Sequence, residues 1–142
     1  MNLVVDASVA LKWFFRLHDD ERDVSAALAL LRGVMDDRVT LIQPPHFIAE
    51  VAAVLARESP RTAKASLKSL LDIEMQLVDG AALHATALDL SVQLRHHLFD
   101  TLYQAAALES DDGVLVTADE RYYRKARGVG RIVRLADFDP GR

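Results

Sequence analysis

The stretch Leu3-Val4-Val5-Asp6-Ala7-Ser8 decides how the rest of this sequence is read. Its apolar, largely β-branched run is too short for a helix and suits a buried strand over 3–5. The run stops at a carboxylate and passes directly into 8–16, where Val9, Leu11, Trp13 and Phe14 supply an apolar helical face. A short strand feeding a helix, with an acid at the junction, is how an α/β domain with parallel strands begins. Ligands in such folds bind outside the carboxyl ends of the strands, so Asp6 is a candidate site residue. An N-cap for the following helix is the competing reading, although Ser8 fills that role equally well.

The same alternation continues outward. Val24, Leu28, Leu31 and Met35 recur at three- and four-residue steps and predict a helix over 21–35. A strand over 39–42 is stopped by Pro44 and Pro45, which suit the first turn of a helix over 46–57. A more polar helix over 62–71 follows Pro60, and a strand over 75–78 is closed by Asp79-Gly80. Helices over 82–96 and 99–109, a strand over 114–117, a helix over 119–127 and a strand over 132–135 complete the chain. The expected fold is a three-layer α/β/α domain with a five-stranded, mainly parallel sheet and right-handed crossovers.

Composition is consistent with that expectation. The 142 residues are 51% hydrophobic and carry 17 basic against 21 acidic side chains, a net charge of −4. That length suits a single domain spanning 1–142, able to bury ~70% of the surface its unfolded chain exposes. There is no internal repeat or Gly/Ser linker to mark a boundary. Zero cysteines exclude disulfides and thiolate metal sites. No apolar stretch approaches the ~18 residues of a membrane span. The Met-Asn-Leu-Val-Val-Asp start lacks the basic opening and long apolar core of a signal peptide, so a cytoplasmic domain is expected. Mild acidity argues against coating nucleic acid through charge alone, but not against an enzyme that acts on it. The six glycines are scattered, so no phosphate-cradling loop is present.

Among the acids, those under burial pressure are informative. Glu50 sits within Phe47-Ile48-Ala49-Glu50-Val51-Ala52-Ala53-Val54-Leu55, which has almost no polar face. The helix is expected to be buried on most sides, so Glu50 needs a cation, a metal or a proton. Asp100 stands in the first turn of its helix, where the helix dipole favours an acid in any case. Asp119 follows the strand over 114–117, beyond the same edge of the sheet as Asp6. Thr117 and Glu120 there have capping-box spacing, and Glu120 is the acid expected to face solvent. Four carboxylates brought together would repel and raise each other's pKa unless a divalent cation compensates. An oxygen-only set, with neither Cys nor His at matching positions, points to Mg2+ or Mn2+ rather than zinc.

Among the five histidines, His96-His97 at a helix end is expected to be structural or superficial, while His46 lies one turn before Glu50. Basic residues concentrate at Arg121, Arg124, Lys125, Arg127, Arg131 and Arg134, beside Asp119. Arg121 and Arg124 from that cluster, with Lys12 and Arg16 after Asp6, are candidates for contacting a nucleic-acid backbone. Arg61, Lys64 and Lys68 read as an ordinary solvated face.

Four blocks carry a family resemblance. Val-Val-Asp6-Ala-Ser8-Val-Ala-Leu-Lys-Trp-Phe, Pro-Pro-His-Phe-Ile-Ala-Glu50-Val-Ala-Ala-Val-Leu, Phe-Asp100-Thr-Leu-Tyr-Gln-Ala-Ala-Ala and Leu-Val-Thr117-Ala-Asp119-Glu-Arg resemble, in order and spacing, those of the PIN-domain ribonucleases. The nearest group is the VapC-type toxins of toxin–antitoxin pairs. The resemblance spans nearly the whole chain and implies an acidic site at the carboxyl edge of the sheet. It assigns Asp6, Glu50, Asp100 and Asp119 as metal-site and catalytic acids, with Ser8 and Thr117 supporting them. It further implies a Mg2+- or Mn2+-dependent endoribonuclease, a cognate antitoxin that occupies the site, an RNA substrate and a homodimer. Phe99 departs from the family, where many relatives carry Tyr, but every acid is present.

Two rival classes compete on the residues. A phospho-acceptor receiver-like domain wants an acidic pair beside its first strand, and only Asp6 fits that template. A non-catalytic interaction module, whose acidic pocket receives a partner's basic side chain, is compatible with the same four acids.

Overall fold

The computed structural model of the protein describes residues 1–15 and 21–141. Five strands, β1 (Asn2–Val5), β2 (Thr40–Gln43), β3 (Gln76–Leu77), β4 (Val114–Thr117) and β5 (Ile132–Arg134), form one sheet in the order β3-β2-β1-β4-β5. Every pairing is parallel, with Leu3 opposite both Leu41 and Val114 and Val5 opposite Val116. Helices α1 (Ala7–Phe14), α2 (Glu21–Met35), α3 (Phe47–Glu58), α4 (Ala63–Leu71), α5 (Ala81–Leu94), α6 (Leu98–Leu108) and α7 (Glu120–Ala126) make the outer layers. The three-layer α/β/α architecture expected from the sequence is what the chain adopts, with a sheet that is wholly parallel.

β1 lies in the middle of the sheet because Leu3, Val4 and Val5 have no polar side chain to keep in water, and all three are buried. α6 packs against β1, β2 and β4 through an unbroken buried run from Thr101 to Ala107. Its three successive alanines let the helix approach the sheet closely. The turn after α6 comes closer still: a Cβ on Gly113 would lie 2.9 Å from the Ala107 carbonyl oxygen, so only glycine fits there.

Several boundaries differ from the sequence reading, each for a local reason. Pro44 and Pro45 form the turn ahead of α3 rather than its first turn, and Phe47 N–H closes that turn on Pro44 O. β2 extends to Gln43, a polar residue that is completely buried. Leu135 leaves the sheet for a 3-10 turn over Leu135–Asp137. α5 ends at Leu94, because Arg95 adopts the left-handed conformation (φ 51°) and turns the chain towards α6. α3 is not buried on most sides: Phe47, Val51 and Leu55 face the core, whereas Ala49, Ala53 and Ala56 are exposed. The candidate Arg16 lies outside the described residues. Among the described residues, no helix is long and apolar enough to cross a membrane.

Candidate functional site

Asp6 directly follows β1, at the N-cap position of α1, with only 9% of its surface exposed. Ser8 Oγ donates to its Oδ1 and Thr117 Oγ1 to its Oδ2. Both hydroxyls are aimed by the main chain. Ser8 Oγ accepts from Ala118 N at 3.1 Å, and Thr117 Oγ1 accepts from Asp119 N at 3.0 Å, so each has its own hydrogen left for the carboxylate. The end of β4 and the start of α1 are thus tied through Asp6. Burial pushes its pKa from 3.8 up to about 6; the two hydroxyls pull it down, and the charges of Asp100 and Asp119 add to the rise.

Thr117 is therefore a donor to Asp6, not the cap its spacing to Glu120 suggests. The N-cap of α7 is Asp119, whose Oδ1 accepts from Tyr122 N at 3.0 Å. Glu120 is exposed, as expected.

Glu50 reaches the same place from α3. Tyr103 of α6 donates its phenolic hydrogen to Glu50 Oε2 at 2.6 Å, and His46 Nε2 lies 3.3 Å from that oxygen. His46 Nε2 also faces the Phe99 carbonyl oxygen at 2.7 Å; with acceptors on both sides, that nitrogen carries the hydrogen. Burial alone would raise the Glu50 pKa, but the bonds from His46 and Tyr103, with the nearby His46 and His97 rings, lower it overall. Tyr103 is pushed the other way, by its burial and by the carboxylate it serves. His46 thus joins the site, and its ring packs 4.5 Å from that of Tyr103.

Asp100 draws two further histidines to the site. His97 is exposed, in line with the superficial reading, whereas the His96 side chain is only 8% exposed; both direct Nε2 at Asp100 Oδ2, at 2.6 and 3.1 Å. The three residues hold ligand atoms close enough for a metal ion. The expected mutual repulsion contributes at Asp6, through Asp100 and Asp119, whereas at Glu50 the partners His46 and Tyr103 outweigh burial.

All four acids line one pocket of about 220 Å3, with Ser8, Leu11, Val54 and Tyr103 completing its wall. The pocket lies beyond the carboxyl ends of β1 and β4, which are neighbours in the sheet. A separate and larger pocket of about 650 Å3 opens between α1, α2 and α4, lined by Trp13, Phe14, Leu31, Val34, Met35 and Ile73 and edged by Asp37, Asp72 and Glu74.

The basic cluster divides. Arg131 Nη1 donates to the Ala107 and Ser110 carbonyl oxygens, and Arg134 pairs with Asp137 and Glu120 over the Tyr123 ring. Lys125 is engaged with His96 and Arg95. Arg121 and Arg124 are exposed on α7, and Lys12 is half-buried on α1.

Two residues that sequence reasoning passed over hold this edge together. Gln43 Oε1 accepts from Val5 N and Gln43 Nε2 donates to Val5 O, both at 2.8 Å. The side-chain amide so replaces a strand partner for the residue just before Asp6. Tyr103 is the other; a buried aromatic on an alanine-rich helix gives no sequence signal that its hydroxyl serves a carboxylate.

Comparison with known proteins agrees with this fold. The crystal structure of PAE2754 from Pyrobaculum aerophilum superimposes with a TM-score of 0.63, covering 95% of this chain and 92% of that one at 20% identity. Such a likeness shows the shared fold. No curated protein matches the sequence. The PIN domain family model matches residues 3–128, nearly the entire span that builds the sheet edge and its acids. The chain belongs to the PIN domain family.

Proposed function

We propose that this PIN domain is a Mg2+- or Mn2+-dependent endoribonuclease and the toxin component of a toxin–antitoxin pair, acting in the cytoplasm. PIN domains are generally nucleases and typically use divalent metals. The observation that carries the reading here is the convergence of Asp6, Glu50, Asp100 and Asp119 on one pocket at the carboxyl edge of the sheet. The chemistry of the pocket lining suits a hard divalent cation: its four carboxylates offer oxygen, and among the described residues no cation is paired with the buried Asp6. A bound cation would supply activation of water and neutralisation of charge developing on a phosphodiester.

The chain's own residues prepare that chemistry. Ser8 and Thr117 fix both oxygens of Asp6, and Tyr103 with His46 fixes Glu50 in its charged form. Asp119 keeps one oxygen on the α7 main chain, which holds its carboxylate at the pocket. Arg121 and Arg124, exposed on the helix that Asp119 caps, suit contacts to an RNA backbone.

Features outside the acidic pocket support the partners. The apolar groove between α1, α2 and α4 suits an amphipathic antitoxin segment, its acidic edge favouring basic flanks. On α5, Leu88 and Val92 are 57% and 73% exposed, a face suited to a second copy in a homodimer. A non-catalytic module whose acidic pocket takes a partner's guanidinium uses the same carboxylates. Purified, partner-free protein separates the two. Cleavage of RNA with Mg2+, abolished by EDTA and by Asp6→Asn in a folded variant, supports the nuclease; no cleavage with either Mg2+ or Mn2+ overturns it.

A further inference from the structure

We infer that His96 is a positioning residue: Lys125 holds it in the Nε2–H tautomer, and its ring pins one oxygen of Asp100 so that the other is presented to the pocket. The inference rests on the reading of Asp100 as a metal ligand. Two imidazoles beside a carboxylate are also a donor set that transition metals favour, and the two possibilities predict opposite protons on His96.

The group on the far side of the ring decides between them. A histidine that ligates a metal through one nitrogen donates its other N–H, ordinarily to a carboxylate, a carbonyl or water. His96 Nδ1 instead faces Lys125 Nζ at 3.2 Å. An ammonium has hydrogens to give and nothing to accept with, so Nδ1 is the acceptor and the ring hydrogen sits on Nε2. That hydrogen points at Asp100 Oδ2, 2.6 Å away. Lys125 is itself anchored, with Nζ 3.3 Å from the Arg95 carbonyl oxygen.

The backbone and the ring are held as well. His96 N donates to Ser91 O at 3.2 Å, and Ser91 Oγ donates back to His96 O. The side chain is only 8% exposed, with the Tyr122 ring edge-on at 4.9 Å and the His97 ring stacked at 4.8 Å. His97 Nε2 also lies 3.1 Å from the same Oδ2, but its side chain is 66% exposed, so water competes for that contact. Both imidazoles face Oδ2, His96 with a hydrogen bond, and among the described residues no hydrogen bond falls on Oδ1. Asp100 is thereby fixed as a one-oxygen donor to the pocket that it lines.

The test combines ring-nitrogen NMR with Mn2+ binding followed by the EPR signal of the free ion; neither readout needs catalysis. Metal-free protein is expected to show His96 protonated on Nε2 and bare on Nδ1, with Lys125→Met eroding that preference. His96→Ala is expected to weaken Mn2+ binding at least 10-fold, the scale of losing an outer partner of a ligand. His96→Gln, whose amide can reach the same oxygen, should recover most of it. A ring proton found on Nδ1, loss of the Nε2 proton on adding Zn2+, or unchanged Mn2+ affinity in folded His96→Ala overturns the inference. If wild type binds neither Mn2+ nor Mg2+, the metal-site reading itself fails and this one with it, an outcome distinct from a wild type that binds and a variant that binds equally well.

Discussion

Tyr103 Oη lies 2.6 Å from Glu50 Oε2, joining α6 to α3 across 53 residues of sequence at the wall of the acidic pocket. The phenol is 1% exposed and has its hydrogen committed to a carboxylate. This is a charge-assisted bond between an immobile donor and the one acid of the four that arrives from the far side of the pocket.

Tyr103→Phe keeps the ring and deletes that bond. The expected loss is about 1 kcal/mol in urea unfolding at neutral pH, at the low end for a charged acceptor because Glu50 is 34% exposed and water replaces part of the interaction. The sign of the pH dependence follows from the lowered pKa of Glu50. Its stabilisation is present above the unfolded-state value of 4.5 and is lost as pH falls through the folded value. The gap between wild type and variant should therefore narrow in acid; a gap that widens there would show that the hydroxyl serves something other than the carboxylate.

Asp6 behaves oppositely. Its pKa rises on folding from 3.8 to about 6, so the folded chain holds a proton that the unfolded chain has released. The favourable contribution is complete below 3.8 and is lost as pH rises to about 6, on the order of 3 kcal/mol for roughly two units. In EDTA, wild type should lose stability relative to Asp6→Asn over that window and no further above it. Added Mg2+ at 100 times its dissociation constant should return ~2.7 kcal/mol to wild type at neutral pH. Equal pH profiles for the two proteins would mean that Asp6 is well solvated.

Gln43→Leu tests the clasp on Val5. Leucine fills similar space but leaves the N–H and C=O of Val5 without the partners they have at 2.8 Å. Two orphaned groups in a fully buried setting should cost about 3 kcal/mol. The loss should be independent of pH and of metal, because no charge is involved. A loss under 1 kcal/mol in urea unfolding would indicate that the strand ends re-pair by themselves.

The legible part of this fold is the part written in consecutive residues. Leu3 to Val5 and Val114 to Val116 are short apolar runs with acids just beyond them, and their adjacency in a parallel sheet brings Asp6 and Asp119 to one edge. What could not be read depends on which way a helix is rotated or on partners distant in sequence. Ala49, Ala53 and Ala56 count as apolar in any pattern, yet they form the exposed face of α3, which made Glu50 look more deeply buried than it is. Thr117 had the spacing of a cap, but Asp119 caps the helix while the threonine turns to a carboxylate 111 residues away. His96 and His97 end an amphipathic pattern and gave no hint that a left-handed Arg95 swings both onto Asp100.

The basic residues give the last prediction. Lys125, Arg131 and Arg134 are already occupied within the fold, so charge counting along 121–134 overstates what an RNA can meet. Arg121 and Arg124 are exposed on the helix capped by the site acid Asp119. Each phosphate contact on a single strand contributes ~0.7 to the slope of log affinity against log salt. In an Asp6→Asn background, where substrate survives the measurement, Arg121→Ala with Arg124→Ala should lower that slope by about 1.4 if both residues touch phosphates. The comparison variant is Arg61→Ala with Lys64→Ala, which removes equal charge from the exposed α4 region and should leave the slope nearly unchanged. Equal effects of the two pairs would mean that the RNA senses net charge rather than a surface next to the acids, and the assignment of Arg121 and Arg124 would fall.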